Sequence, residues 1–255
     1  LHLIQAEKLR TVGRLAAGVA HEVKNPLAII RLGTGLLTKK IDTQDTSIKR
    51  TLSDMNSAVE RADAIITGVL DFSSQRPQEL KAEKLEKIMS AALLLVKHEL
   101  DKSGVDVVQE RADRLPEVNV DRTRIEQVFV ILFSNAIRAM TGGGQLILRT
   151  KAYVKKLSET GGRVGRRLDD GFAVGETAVV VEVDDSGSGI AGEHLDKVFD
   201  PFFTTREAGK GAGLGLSIAR SIMEAHGGCI DVSNREEGGV RVTLMFKVAE
   251  EDSFQ

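Results

Sequence analysis

The sequence predicts a two-part molecule: an all-α helical hairpin that closes a four-helix bundle as a homodimer, followed by an α/β sandwich. Three observations carry this. Two long apolar stripes, stepping by three and four residues, fill positions 1–75. They end near Arg76-Pro77, which marks a linker. From Leu80 onward, short helical and alternating patterns interleave, as expected for helices packed on a mainly antiparallel sheet. The expected division is 1–75 for the helical part, 76–80 for a hinge, 81–250 for the sandwich and 251–255 for a tail.

In the first helix the stripe comprises Leu9, Val12, Ala16, Val19, Val23, Leu27 and Ile30. Pro26 removes a backbone donor and is expected to kink it. Polar Lys39 to Ser47 reads as the connection. The second helix carries Ile48, Leu52, Met55, Val59, Ala62, Ile66 and Val69, a heptad seam. Two such helices have too little core to stand alone, so a second copy is expected to complete the bundle. His21 lies two positions after Val19, about 200° around the helix from the stripe, and so faces solvent. It opens the run His21-Glu22-Val23-Lys24-Asn25-Pro26 and shares its face with Asn25, Ala28 and Leu32. Ala28 and Leu32 are exposed apolar candidates for a docking patch.

In the second part, helices are expected over Lys84–Lys102, Asp121–Met140 and Leu214–His226. Strands are expected over Val105–Gln109, Gln145–Val154 and Thr177–Val183, with a terminal hairpin from Ile230–Ser233 and Val240–Phe246. The stretch Lys155–Glu176, rich in Gly, Arg and Asp, reads as a solvated hairpin extension.

Composition narrows the function. A net charge of −2 gives no electrostatic reason to expect nucleic acid or an anionic membrane surface. Cys229 is the only cysteine, so no internal disulfide forms and a reducing cytoplasm fits. No apolar run approaches the roughly 20 residues of a membrane span. The chain opens on Leu1 and reads as a fragment of a longer protein. His2, His98, His194 and His226 show no metal-ligand spacing, and Cys229 reads as a small core residue.

Three motifs in the second part form a coherent chemistry. Asn135 sits on the predicted helix of residues 121–140, Asp185-Ser186-Gly187-Ser188-Gly189 follows a strand, and Gly211-Ala212-Gly213-Leu214-Gly215-Leu216 opens a helix. An amide oxygen such as that of Asn135 ligates Mg²⁺, a hard ion that prefers oxygen. A carboxylate such as Asp185 accepts a hydrogen bond from the exocyclic amine of adenine. Glycines let backbone N–H groups approach phosphates at a helix N-terminus. The P-loop lysine signature and the dinucleotide-binding fingerprint are absent. The joint order, spacing and local context of the three motifs carry the reading.

With these residues in place, nearly the whole chain resembles the sensor histidine kinases of two-component signalling. His21-Glu22-x-x-Asn25-Pro26 is similar to the phosphoacceptor box of that family. Asn135, Asp185-x-Gly187-x-Gly189, Phe199-x-x-Phe202-Phe203 and Gly211-x-Gly213-Leu214-Gly215-Leu216 are similar to its N, G1, F and G2 boxes, in family order. The resemblance implies a dimerisation and histidine-phosphotransfer domain followed by a Bergerat-type ATP-binding domain. It implies His21 as nucleophile, Glu22 as its general base and Asn25 as a residue that positions water for dephosphorylating a response regulator. ATP and Mg²⁺ are implied, with Asn135 on the metal, Asp185 on adenine, and Gly187, Gly189, Gly211, Gly213, Leu214 and Gly215 shaping pocket and lid. Arg138, Arg206 and Lys210 are implied phosphate contacts, and the receiver domain of a response regulator is the implied partner. Phe199, Phe202 and Phe203 read as lid and core packing. The resemblance is compatible with a membrane anchor in the full-length protein.

One departure stands out: where the family often has a second Asn one turn before the Mg²⁺ ligand, this chain has Ile131. ATPases and serine kinases that share the nucleotide fold carry a glutamate there, and isoleucine has no base to offer. Two other readings follow from the same residues. A nucleotide-binding pseudokinase scaffold is favoured by Ile131, whereas a plain ATPase is disfavoured by it.

Overall fold

The structure is a computed structural model that describes residues 23–38, 40, 45–73, 78–112, 114–154, 172–173, 175–205 and 213–249. Among them two compact units emerge. One holds the helical hairpin with the segment around 200–218, and the other holds the remainder from Gln78 onward. His21, Glu22, Arg76-Pro77, Arg206, Lys210, Gly211 and most of the 155–176 stretch lie outside the described residues.

In the first unit, helix α1 covers residues 23–38 and continues through Pro26. Helix α2, Thr46–Ser73, starts where the Asp45 carboxylate accepts the Ser47 N–H at 2.8 Å. Buried Thr34 on α1 hydrogen-bonds the Asn56 side chain on α2, so the two helices lie side by side. The heptad seam splits into two columns. Leu52 and Val59 are buried, whereas Ile48 and Met55 on α2, and Val23, Ile30 and Leu37 on α1, are exposed in the single chain. Two helices can cover only one side of each seam, so the second column, seven residues apart, has nothing over it within one chain.

The second unit is an α/β sandwich. Its sheet has the order β2-β4-β5-β7-β6: β2 Val105–Glu110, β4 Gly144–Val154, β5 Thr177–Asp185, β7 Val240–Lys247 and β6 Cys229–Asn234. Only β2 runs parallel to its neighbour, and the other pairs are antiparallel. A short ribbon pairs β1, Lys81–Glu83, with β3, Val118–Val120. Helix α5, Arg122–Ala139, packs against β4, β5 and helix α3, Leu85–Leu95. Its Ile125, Phe129, Leu132 and Phe133 are fully buried, as are Ile88 and Met89 of α3 and Leu146 and Leu148 of β4, the elements it packs against. The start of α5 is capped by Asp121, whose carboxylate accepts the Thr123 and Arg124 N–H groups at 3.0 and 3.2 Å. His226, just after helix α7 (Gly215–Ala225), accepts the Asp121 N–H at Nε2, 3.1 Å away.

Several expectations need correction. The helix expected over 84–102 is two helices, α3 and α4 (Lys97–Ser103), because Val96 leaves helical geometry between them. Ribbon strands β1 and β3, and the one-turn helix α6 (Gly192–Leu195), were not anticipated; three or four residues are too few to show a period. The 155–176 stretch is not solvated throughout. Phe172 is buried on the sheet face away from α5, against Ala178, Val180 and Met245, with Tyr153 and Cys229 beside it. Lys247 lies over the Phe172 ring, 5.4 Å from its centroid, and pairs with Glu176 at 3.3 Å.

Candidate functional site

Asn135 sits half-buried on α5, one turn before Ala139. The loop after β5 is pressed against that same helix end. A Cβ on Gly187 would lie 2.9 Å from the Ala139 Cβ, the Ala139 carbonyl and the Asp185 carboxylate, so only glycine fits. The structure thus brings Asn135, Asp185, Gly187 and Gly189 to one end of the sandwich, where the strand β5 stops.

Asp185 is 7% exposed and faces the helical side of the sheet, in phase with Val183 and Val181. Its Oδ1 accepts two backbone N–H groups, from Gly187 at 2.8 Å and from Val240 at 3.2 Å. Among the described residues no hydrogen bond reaches Oδ2. Burial pushes this carboxyl above its ordinary range and outweighs the two backbone hydrogen bonds that lower it. The Val240 contact comes from the turn between β6 and β7, 55 residues away in sequence. Sequence reading missed that turn as part of the site, because its Gly238-Gly239 signals only a hairpin.

The neighbouring carboxylate does something different. Asp184 points to the opposite face of the sheet, is 0% exposed, and is surrounded by Arg149, Arg235 and Arg241. Arg241 donates to both of its oxygens, at 2.8 and 2.6 Å, and Arg149 makes a further bond. Burial is the largest single influence and raises this carboxyl. The hydrogen bonds and charges of Arg241 and Arg149 together outweigh it and hold the group below the ordinary carboxylate range. A carboxylate lowered in the folded state stabilises the fold above its unfolded value, and that stabilisation is lost as pH falls through the folded value. Asp184→Asn is therefore expected to lose about 3 kcal/mol, toward the low end for a broken buried ion pair because Arg149 and Arg241 keep partial water contact. Urea unfolding should show the gap to the unsubstituted chain constant from pH 7 to about 4 and narrowing below. A gap that did not depend on pH would contradict the assignment.

The remaining predicted residues fall as follows. Arg138 is exposed and folds back on its own helix, its Nε donating to the Ser134 carbonyl at 2.9 Å. Ile131 is half-buried one turn before Asn135. Asn25, Ala28 and Leu32 are exposed on α1, as are Val23 and Ile30 of the stripe itself. Leu214 is buried and precedes α7, where its carbonyl accepts the Ser217 hydroxyl at 2.8 Å. Gly213 has φ +66, and a Cβ there would lie 2.5–2.7 Å from backbone atoms of Phe202 and Phe203. Phe202 itself has φ 67 and is 62% exposed, which corrects its reading as a packing residue. Phe199 is half-buried beneath the Arg220 guanidinium, 5.2 Å from its ring centroid. The two stretches that flank residues 206–212 thus meet backbone to backbone.

For a metal, the donor set is sparse. Among the described residues no group of three or more His, Cys, Asp or Glu could hold an ion. The Asn135 amide oxygen is one donor of the chemistry a hard cation prefers, so the residues present would fit Mg²⁺ only where a ligand brings most of the oxygens.

Residues 120–250 match the family described as histidine kinase-, DNA gyrase B- and HSP90-like ATPase, and residues 11–78 match the His Kinase A phospho-acceptor domain. The chain is 30% identical over 246 residues to the signal transduction histidine-protein kinase AtoS of Escherichia coli K12, covering 96% of this chain and 36% of AtoS. It is 31% identical over 242 residues to the sensor histidine kinase ZraS of the same strain, covering 95% of this chain and 47% of ZraS. The crystal structure of histidine kinase ThkA in complex with response regulator TrrA superposes with a TM-score of 0.63 at 31% identity, over 96% of this chain and 64% of that one. The chain thus spans less than half the length of these two sequence relatives. Two-component sensor histidine kinases are the family to which this chain belongs, with a phosphoacceptor domain followed by an ATP-binding domain.

Proposed function

We propose that this chain is the catalytic core of a sensor histidine kinase: it phosphorylates His21 with ATP and passes the phosphoryl group to an aspartate of a response-regulator receiver domain. The observation that carries this is the buried Asp185 carboxylate, with Oδ1 saturated and Oδ2 left to accept, at the head of a glycine cradle beside Asn135. A ring nitrogen of neutral His21 attacks the γ-phosphorus as the bond to the ADP oxygen breaks, and Glu22 takes or orients the ring proton. Mg²⁺, when bound with the phosphates and Asn135, supplies charge neutralisation. Arg138, Arg206 and Lys210 are the phosphate contacts, and Gly211, Gly213, Leu214 and Gly215 shape the lid.

The same reading assigns residues 1–75 to dimerisation and phosphotransfer, 76–80 to a hinge and 81–250 to nucleotide binding. Homodimerisation is supported by the exposed apolar column of Val23, Ile30, Leu37, Ile48 and Met55, which a second copy would cover. The receiver domain docks over Ala28 and Leu32, next to Asn25; the ThkA complex supports a partner of this kind. Among the described residues no helix is long and apolar enough to cross a membrane, and we place this part of the protein in the cytoplasm.

Incubation with labelled ATP and Mg²⁺ tests the reading. Acid-labile, alkali-stable phosphoprotein is expected, with label moving to an added receiver domain. Nucleotide binding without any label would overturn it in favour of the pseudokinase scaffold, the reading that Ile131 favours. Asn25→Ala should leave labelling intact while slowing dephosphorylation of the regulator by roughly 100-fold, the scale for losing a positioned water. Unchanged dephosphorylation would remove Asn25 from that role.

A further inference from the structure

The loop that recognises the base is held from behind by the turn between β6 and β7. Asn234, at the end of β6, grips Ile190 with both ends of its amide: Oδ1 accepts the Ile190 N–H at 2.8 Å, and Nδ2 donates to the Ile190 carbonyl at 2.6 Å. Arg235, the next residue, donates Nη1–H to the Asp185 carbonyl at 2.9 Å. Gly239, on the far side of the same turn, approaches so closely that a Cβ would lie 2.0 Å from that carbonyl oxygen. The loop from Asp185 to Ile190 is therefore fixed at both ends by two consecutive side chains of one turn.

The placement of Arg235 needs a reason. It is only 12% exposed, and its Nε is buried without a hydrogen bond, 3.4 Å from Asp184. A buried donor left without a partner is costly, so another interaction has to keep the guanidinium there. Charge alone does not explain it, because Arg149 and Arg241 already hydrogen-bond Asp184, and the pair of Arg235 with Glu237 at 3.5 Å involves an exposed carboxylate worth little. The bond to the Asp185 carbonyl is what only Arg235 makes. Since the Oδ1 bonds of Asp185 run to Gly187 and to Val240, a shift of this backbone would change where Oδ2 points.

We propose that Arg235 and Asn234 are positioning residues for adenine recognition: they act through Asp185 and Ile190 and touch no nucleotide themselves. This inference rests on the assignment of Asp185 to adenine made above. It predicts that their removal weakens discrimination for the 6-amino group rather than nucleotide binding in general.

The test measures equilibrium binding of ATP and of inosine triphosphate, which carries an oxygen in place of the 6-amino group, to the unsubstituted chain, Arg235→Ala, Arg235→Lys and Asn234→Ala. The unsubstituted chain should prefer ATP. Arg235→Ala and Asn234→Ala should each lose about 10-fold in ATP affinity, the scale for misplacing one charge-assisted hydrogen bond, with inosine triphosphate affinity changing far less. Arg235→Lys should recover only part of the preference, since an ammonium lacks the planar fork that reaches two acceptors. Equal losses for both nucleotides, or none, would overturn the positioning role and leave a stabilising turn. Should Arg235→Ala fail to fold, exposed Asn234 carries the decision alone. A chain that binds neither nucleotide would instead overturn the assignment of Asp185, and so separates the two failures.

Discussion

Replacing His21 by alanine is expected to abolish acid-labile labelling while leaving ATP affinity within about twofold. Within the phosphoacceptor box only the His21 imidazole and the Lys24 amine can form an N–P bond, and alanine at position 21 removes the first while leaving the second. Glu22 and Asn25 offer oxygen and amide groups, whose phosphoryl adducts would differ in stability toward acid and alkali. Binding should survive because the proposed adenine acceptor, Asp185, lies in the other unit of the chain. Phosphate release measured beside the label sharpens the result: a His21→Ala chain that still hydrolysed ATP at the original rate would identify a plain ATPase. Label that persisted in the variant, still acid-labile, would place the acceptor on another histidine or on a lysine such as Lys24.

Asp185→Asn is expected to weaken ATP binding by at least about 100-fold, corresponding to roughly 3 kcal/mol. The substitution is nearly isosteric, so the loss comes from hydrogen-bond polarity. The present Oδ1 accepts from both the Gly187 and the Val240 N–H groups. An asparagine that keeps its oxygen there turns its NH₂ toward the adenine amine, donor against donor. One that flips to offer its oxygen to adenine turns the NH₂ against two backbone donors. Neither orientation satisfies all partners, and the site is buried enough that water does little to relieve it. Because burial raises the Asp185 carboxyl, affinity in the unsubstituted chain should also decline on acidification sooner than for an ordinary carboxylate. Isothermal titration with ATP across pH reads both effects. An Asn variant with unchanged affinity would remove Asp185 from base recognition.

Much of the molecule was legible in advance where a long periodic pattern met a local signal. The α2 heptad, the Asp121-capped helix α5 and the β6–β7 hairpin follow from residue spacing and turn chemistry within a few residues of their ends. Elements of three or four residues, such as β1, β3 and α6, carry no such period. Val96 breaks the helix expected over 84–102 without a glycine or proline to announce it. Phe172 sat within a polar, Gly- and Arg-rich stretch, and its burial depends on Val180 and Met245, from strands elsewhere in the chain.

The sequence alone determined the two-part architecture and the order of the boxes, because periodicity and turn residues act locally; the grouping of Asn135, Asp185 and the glycines into one site came from the family resemblance. It could not show the surroundings of Asp184 and Asp185, two identical side chains in adjacent positions. Pairing of β5 with β4 and β7 decided that, since alternation along a strand sends neighbours to opposite faces. One carboxylate met Arg149, Arg235 and Arg241 and was held low; the other met a buried edge with two backbone donors and was raised. The partners that set these opposite fates lie 35 to 57 residues away in sequence, apart from Gly187, and only the tertiary structure brings them together.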